Sequence, residues 1–237
     1  AALTVGAGNT AVGYQALLTN IDGASNTAIG YQSLLYYEPG ATEGDNVAVG
    51  YNAGKFVTLS EKSTFVGMSA GEGVTSVRST GDANTAIGYK SGYLLQGTAY
   101  QNTLVGSFAG TAITTGYENT IIGEQAGYAY DGVLSTVVGR QALLTETSGQ
   151  RTVAVGAYAL KLQNSGGGAP ITGNTGIGYV AGQSNATGTN NTWVRYGAGS
   201  GPGSAANNSN NTGLGKDAIT AVTTGSWNTC VGIAAGD

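Results

Sequence analysis

One short pattern of apolar and polar positions returns along almost the whole chain. It reads Asn, Ser or Thr; then Thr or Val; a variable residue; Val, Ile or Leu; Gly; two variable residues; and Ala or Ser. NTAVGYQALL at Asn9 to Leu18 and NTAIGYQSLL at Asn26 to Leu35 are two nearly identical copies. Aligned on the Gly, about thirteen such units run from Gly13 to Gly232, with Arg195 standing once in the Gly position. Seventeen residues separate Gly13 from Gly30, and other intervals stretch to about 22, the signature of stacked supersecondary units. The stretch from the Asn to the small residue keeps its length, while insertions such as YYEPGATEGD, LQNSGGGAPITG and GSGPGSAANNSN all fall in the second half. Each coil therefore consists of a rigid rung and a half that carries loops along one edge.

The rung can be read position by position. Thr10 and Val12 lie two apart and share a face if the segment is extended. That face is apolar or Thr in every unit, which predicts a core ladder of Val12, Ile29, Val49, Val66, Ile87, Val105, Ile122, Val138, Val155, Ile177, Val194, Leu214 and Val231. The residue between them points the other way, yet it is often apolar as well: Phe65, Leu104, Ile121, Val137, Trp193, Cys230. Apolar residues on both faces predict that the rung is covered from outside, by the rest of the coil or by neighbouring chains, and so favour oligomerisation. The Gly allows a bend or positive φ, the small residue leaves room only for another backbone, and Asn suits a corner because it tolerates a left-handed backbone and its amide bonds to the coils above and below. Gly every few residues argues against helices, even at ALLT (Ala16 to Thr19). Two short strands and two turns fit the period. The expected fold is all-β: a parallel β-solenoid, or β-roll, of about thirteen coils with roughly 17 residues each, forming a single repeat domain over residues 1–237.

The ends of the sequence read as halves of a unit. ALTVGAGNT, from Ala2, matches the second half of later units, AITTGYENT from Ala112 and AVTTGSWNT from Ala221, making 1–8 a half-coil, and NTCVGIAAGD supplies only a first half at 228–237. Either the chain is cut from a longer repeat protein, as the missing initiator Met and signal peptide suggest, or one molecule's last half-coil is completed by the next molecule's first. The second reading places a head-to-tail joint at Leu3, Val5, Val231 and Ile233.

NTAVGYQALL, NTAIGYQSLL and NTAIGYKSG resemble the Asn-Thr-Ala-x-Gly-x-x-Ala-Leu repeats of phage tail-fibre and related surface proteins. More distantly, they are similar to the head repeats of trimeric autotransporter adhesins. The resemblance spans Asn9 to Gly236. It implies a left-handed β-roll, trimeric, in an extracellular fibre on a virion or cell-surface appendage that contacts a receptor. No receptor-binding residue comes with it.

Composition narrows the chemistry. Charged residues are 9%, Gly is 42 of 237 and net charge is −4, so no basic stripe exists for phosphates and nucleic acid is not expected. No apolar run approaches the roughly 20 residues of a membrane-spanning helix. There is no His, the lone Cys230 sits at the variable rung position, and the acids fall mostly in the loop half. GEGV and GAGSGPG lack the Lys-Ser/Thr of a phosphate loop, and no calcium-binding nonapeptide occurs. No enzyme, cofactor or metal is expected. Tyr14, Tyr31, Tyr51, Tyr89, Tyr179 and Tyr196 fall in equivalent positions after the Gly, either as an aromatic ladder or as a surface for glycan contact. Ranks of Thr raise ice binding too, but Thr that shares a face with a core ladder argues against it. The expected function is a structural one: the shaft of an extracellular fibre with contacts through its variable loops. The alternatives are a head-to-tail filament subunit and, third, a carbohydrate-binding module.

Overall fold

The computed structural model describes residues 6–38, 44–76, 78–166, 170–201, 209–221 and 225–236. It is a parallel β-solenoid whose coils fall into two compact units, Ala1–Glu118 and Asn119–Asp237. Each coil contributes one three-residue strand. The first unit stacks β1 (Thr10–Val12), β2 (Thr27–Ile29), β3 (Val47–Val49), β4 (Thr64–Val66), β5 (Thr85–Ile87) and β6 (Thr103–Val105). The second stacks β7 (Thr120–Ile122), β8 (Thr136–Val138), β9 (Val153–Val155), β10 (Thr175–Ile177), β11 (Thr192–Val194), β12 (Thr212–Leu214) and β13 (Thr229–Val231). Within each unit, strands pair parallel with the next coil in perfect register, Thr10 opposite Thr27 and Val12 opposite Ile29. The described residues include no helix. None is therefore long and apolar enough to cross a membrane.

The expected second strand is reduced to isolated bridges, Ala24 with Gly44, Val57 with Ser79, Ser79 with Gly97 and Gln150 with Ile171. Between rung and bridge the chain runs through turns whose alternate residues sit at positive φ: Gln15 at 57°, Leu17 at 52°, Gln32 at 53°, Leu34 at 48°. This alternation splits the backbone donors. Leu34 N donates to the Ala53 carbonyl of the next coil at 3.0 Å, while Tyr37 N donates back to Leu34 O at 3.2 Å. Coil-to-coil bonding thus continues without an extended strand. The largest insertions have their centres at 39–43, 167–169 and 202–208, outside the described residues.

The rung faces the opposite way from the sequence expectation. The buried ladder is the middle residue, with Ala28, Ala48, Phe65, Ala86 and Leu104 fully enclosed in the first unit and Ile121, Val137, Ala154 and Trp193 in the second. The residues expected as core point outward. Val12, Ile29, Ile87, Ile122, Ile177, Leu214 and Val231 are exposed, and Val49, Val66, Val105, Val138, Val155 and Val194 are half-buried. Alternation along a strand separates two faces but does not say which one is inside. That is decided where the rest of the coil closes, over the middle residue, bringing in Leu17, Leu34, Ala53 and Ala70.

The interior is filled by compensation between neighbours. In β2 and β9, where the middle residue is Ala, the position six residues later is Leu34 or Leu160; where it is Phe65, Leu104 or Trp193, that position is Gly71, Gly110 or Gly199. In β3 and β5, Ala48 and Ala86 are followed by Gly54 and Gly92, and the space is taken by Phe65 and Leu104 of the next coil. A Cβ on Gly71 or Gly199 would run into the Phe65 or Trp193 ring. Trp193 lies in register between Gly176 and Gly213; a Cβ on Gly213 would come within 3.0 Å of the indole, whereas one on Gly176 would meet Leu160 at 2.8 Å. The Gly after each rung has a different role. Gly13 has φ 130°, and a Cβ there would come within 2.5 Å of the Gly30 carbonyl oxygen. Two backbones touch at this point, and no side chain fits.

The Asn corner forms the expected ladder. Asn26 donates from backbone N (2.8 Å) and Nδ2 (3.1 Å) to Asn9 Oδ1, and Asn46 repeats both contacts on Asn26. Ser63 N continues to Asn46 Oδ1 at 2.9 Å, and in the second unit Asn191, Asn211 and Asn228 each donate to the Asn before. Several Asn also tie the far side of their own coil, as Asn46 Nδ2 does to Ser60 O and Asn102 Nδ2 to Gly116 O, whereas Asn26 Nδ2 bonds back to Ala24 O. The left-handed corner residue is not the Asn but the one before it: Ser25, Asp45, Lys62, Ala83 and Gln101. With its own φ relieved of that demand, the Asn turns its amide inward, where an unpaired backbone group would be costly.

Candidate functional site

The feature that stands out is a face, not a cavity. No pocket and no group of potential metal ligands occurs among the described residues. On the outer side of the strands two ranks run along each unit. One is Thr with an occasional Val (Thr27, Val47, Thr64, Thr85), and the other is Ile, Val or Leu (Ile29, Val49, Val66, Ile87). Parallel pairing sets about 4.8 Å between neighbours along a rank and about 6.6 Å between ranks. No strand carries a charged residue.

Threonines of two kinds separate here. Those in the turns are tied to the next coil: Thr19 Oγ1 to Leu35 O at 3.0 Å, Thr80 Oγ1 to Gly97 O at 2.9 Å, Thr145 Oγ1 to Gln163 O at 2.9 Å. The strand threonines Thr10, Thr27, Thr64, Thr85 and Thr103 make no such bond among the described residues. Their hydroxyls and methyls face outward beside the aliphatic rank.

Next to this face stands the tyrosine row. Tyr14, Tyr31 and Tyr51 stack ring on ring, with centroids 5.3 and 5.0 Å apart and planes 18° and 7° from parallel. Met68 interrupts the row, and Tyr89 meets Phe108 edge-on. In the second unit Tyr179 stacks on Tyr196 at 5.5 Å. Ring faces in these stacks are turned on one another, so a sugar would meet edges and phenol oxygens, with a free face only at the outermost ring. A second aromatic row was missed in the sequence: Tyr36 stacks on Phe56 at 5.3 Å, with Arg78 4.7 Å from the Tyr36 ring centroid. Its signal was present, because Tyr36 follows Tyr31 by the same five residues as Phe56 follows Tyr51. Where the tyrosine position holds Glu124 and Arg140, the two form an exposed ion pair at 3.1 Å, and Arg140 also donates to the Tyr158 hydroxyl.

Of the residues considered for a head-to-tail joint, Leu3 and Val5 lie outside the described residues, while Val231 and Ile233 are exposed. Cys230 occupies the inward middle position of β13.

Among the described residues two acids are buried: Glu72, which accepts from Asn52 Nδ2 at 3.0 Å, and Glu146, which is enclosed more fully. Glu146 is completely buried and accepts from Gly149 N (2.9 Å), Ser165 Oγ (2.7 Å), Ser165 N (3.1 Å) and Gln163 Nε2 (3.0 Å), with Thr147 N and Ser148 N nearby at 3.0 and 3.1 Å. Burial alone would push its carboxyl pKa up; the donors of Gln163, Ser165, Gly149 and Ser148 outweigh that and hold it below the ordinary Glu value. Its lone pairs are occupied, so it anchors the turn and the start of the following insertion and has no room to act as an acid or base. The signal in sequence was weak: a Glu among Ser and Gly amide donors looks like a solvated loop.

Comparison with family models, curated proteins and solved structures found no match.

Proposed function

We propose that this protein is a structural element of an extracellular fibre, such as a virion or cell-surface appendage, and that copies of it associate through the outer face of their strands. The observation that carries this reading is the outward rank of Val, Ile and Leu, exposed at the Ile and Leu positions and half-buried at most Val positions, repeated on coil after coil and free of charge. Contiguous exposed apolar surface on that scale marks an interaction site. Its one-coil period selects the partner: a second copy matches it rank for rank, whereas an unrelated globular surface does not. A trimer is the preferred assembly, in keeping with the resemblance of NTAVGYQALL and NTAIGYQSLL to trimeric fibre repeats. Receptor contact then falls to the loop-bearing half of each coil, away from the buried ranks.

Light scattering behind size exclusion on the purified chain tests this. A sharp mass of three chains is the expected result, and Ile87→Lys should give a folded monomer. Open-ended polymers would favour the filament alternative, and a wild-type monomer at high concentration would overturn assembly through this face.

A second reading draws on the unpaired strand threonines. With the aliphatic rank outside, the objection that Thr shares a face with the core no longer holds. A flat array of hydroxyls and methyls at about 4.8 by 6.6 Å suits ordered water, and ice is its extended form. Thermal hysteresis in a monomeric preparation, lost in Thr85→Lys, would favour this reading over a shaft.

A further inference from the structure

We propose that the tyrosine stack Tyr14–Tyr31–Tyr51 is a site of oxidative cross-linking, at which a peroxide-driven one-electron oxidant, such as a haem peroxidase, joins successive coils as dityrosine. The inference does not depend on the assembly proposed above, because all three rings belong to one chain.

Three observations lead to it. The rings are held in contact, at 5.0 and 5.3 Å and nearly parallel, by backbone pairing that fixes their coils in register. All three are open to solvent, at 63%, 41% and 50% exposure, so an oxidant can reach the phenols and the rings have room to shift. Main-chain bonds from Gln32 N to Tyr14 O (2.9 Å) and from Asn52 N to Tyr31 O (2.8 Å) keep the turns together while they do so. A phenoxyl radical carries spin on its ortho carbons, and coupling needs a second radical at contact before the first is quenched. In most proteins that requires two molecules to collide. Here Tyr31 has a neighbour on each side.

The step balances as follows. Each of two tyrosines gives up one electron and its phenolic proton. The two radicals form one ortho-ortho carbon–carbon bond, and each ring regains aromaticity as its ortho hydrogen moves to the phenol oxygen. The two electrons and two protons reduce one hydrogen peroxide to two waters, so the product is lighter by two hydrogens. The bond closes a loop of about one coil and restricts the unfolded chain. Other pairs lack one of these features. Tyr100 and Tyr117 stack at 4.8 Å and 5° but are half-buried, and Tyr179 and Tyr196 stack at 5.5 Å and 19° as two rings without a third stacked on them. Tyr158 meets Tyr179 edge-on at 5.9 Å and 85°, and Tyr89 faces a phenylalanine.

The test is treatment of the full chain with horseradish peroxidase and limiting hydrogen peroxide, followed by denaturing separation and peptide mass spectrometry. The expected result is single-chain product lighter by two hydrogens per bond, with blue dityrosine fluorescence and cross-linked peptides joining Tyr14 to Tyr31 or Tyr31 to Tyr51. Tyr31→Phe should abolish both peptides while leaving the fold intact, and Tyr89→Phe should leave them unchanged. The proposal is overturned if the folded chain yields neither the Tyr14–Tyr31 nor the Tyr31–Tyr51 peptide while dityrosine forms elsewhere, if coupling at these rings occurs only between chains, or if urea-unfolded protein yields the same peptides in the same amount.

Discussion

The two sides of the strands differ in a way that runs against intuition. The inner position is the variable one, holding Ala, Gly, Val, Leu, Ile, Phe, Trp or Cys, while the outer ranks hardly depart from Thr and Val, Ile or Leu. An interior shared between stacked coils tolerates variation, because a Phe65 is matched by Gly54 and Gly71 and a Trp193 by Gly182 and Gly199. Volume is kept locally, not residue by residue. Nothing inside the chain demands that the outer ranks stay uniform. Their uniformity calls for an external reason, and a regular partner surface is one.

Adjacent residues of β6 give the most severe test of this contrast. Leu104→Asp should prevent folding, because it encloses an unpaired charge, whereas Val105→Asp should leave the circular dichroism and melting curve close to wild type and remove only self-association. Equal damage from both would mean that the face assignment is wrong. Next in size is the compensated interior. Phe65→Ala should cost about 3–5 kcal/mol in denaturant unfolding, against less than about 1 kcal/mol for Ile87→Ala on the outer face. Adding Gly71→Leu to Phe65→Ala should recover a good part of the loss, since it recreates the Ala28/Leu34 arrangement and Leu34 already holds the same left-handed backbone at φ 48°. A double-mutant cycle measures the coupling.

Smaller differences separate the threonines. Thr145→Val removes two hydroxyl contacts, to Lys161 O and Gln163 O, and should cost about 1 kcal/mol, while Thr136→Val on the outer face should be near neutral in the monomer. The smallest effect lies at acid pH. Because Glu146 has its native pKa lowered, its contribution to stability is complete above the ordinary Glu value of 4.5 and is lost as pH falls through the lowered native value. Urea titrations from pH 6 down to pH 3 should show this slope, and Glu146→Gln should flatten it. Glu124, exposed and paired with Arg140, gives a control in Glu124→Gln, for which little change is expected.

Much of this architecture was legible in the repeat alone. The period, the rigid rung, the loop-bearing half, the Gly at positive φ and the Asn corner all follow from the small set of residue types each position accepts, whereas the close backbone contact falls at the Gly and not at the small residue expected to make it. Glu146 and the Tyr36–Phe56 row were harder to see. The first depends on donors from Gln163 and Ser165 in the following coil, and the second on a repeat offset shared by only two units. The left-handed residue was misplaced by one, because Asn tolerates that conformation well and its neighbours Ser25, Asp45 and Lys62 give no sign of adopting it.

The order and spacing of residues by themselves determined that the chain coils, how many rungs it makes and where its insertions fall, since a pattern repeated every seventeen or so residues has a low-energy solution in parallel stacking. Only the tertiary structure decided which face of each rung is inside. With a three-residue strand and apolar residues on both sides, the local pattern is symmetric between the two choices. What breaks the symmetry is the closure of each coil over its middle residue, with Leu34, Ala53, Gly71 and their counterparts brought in from the other half of the turn.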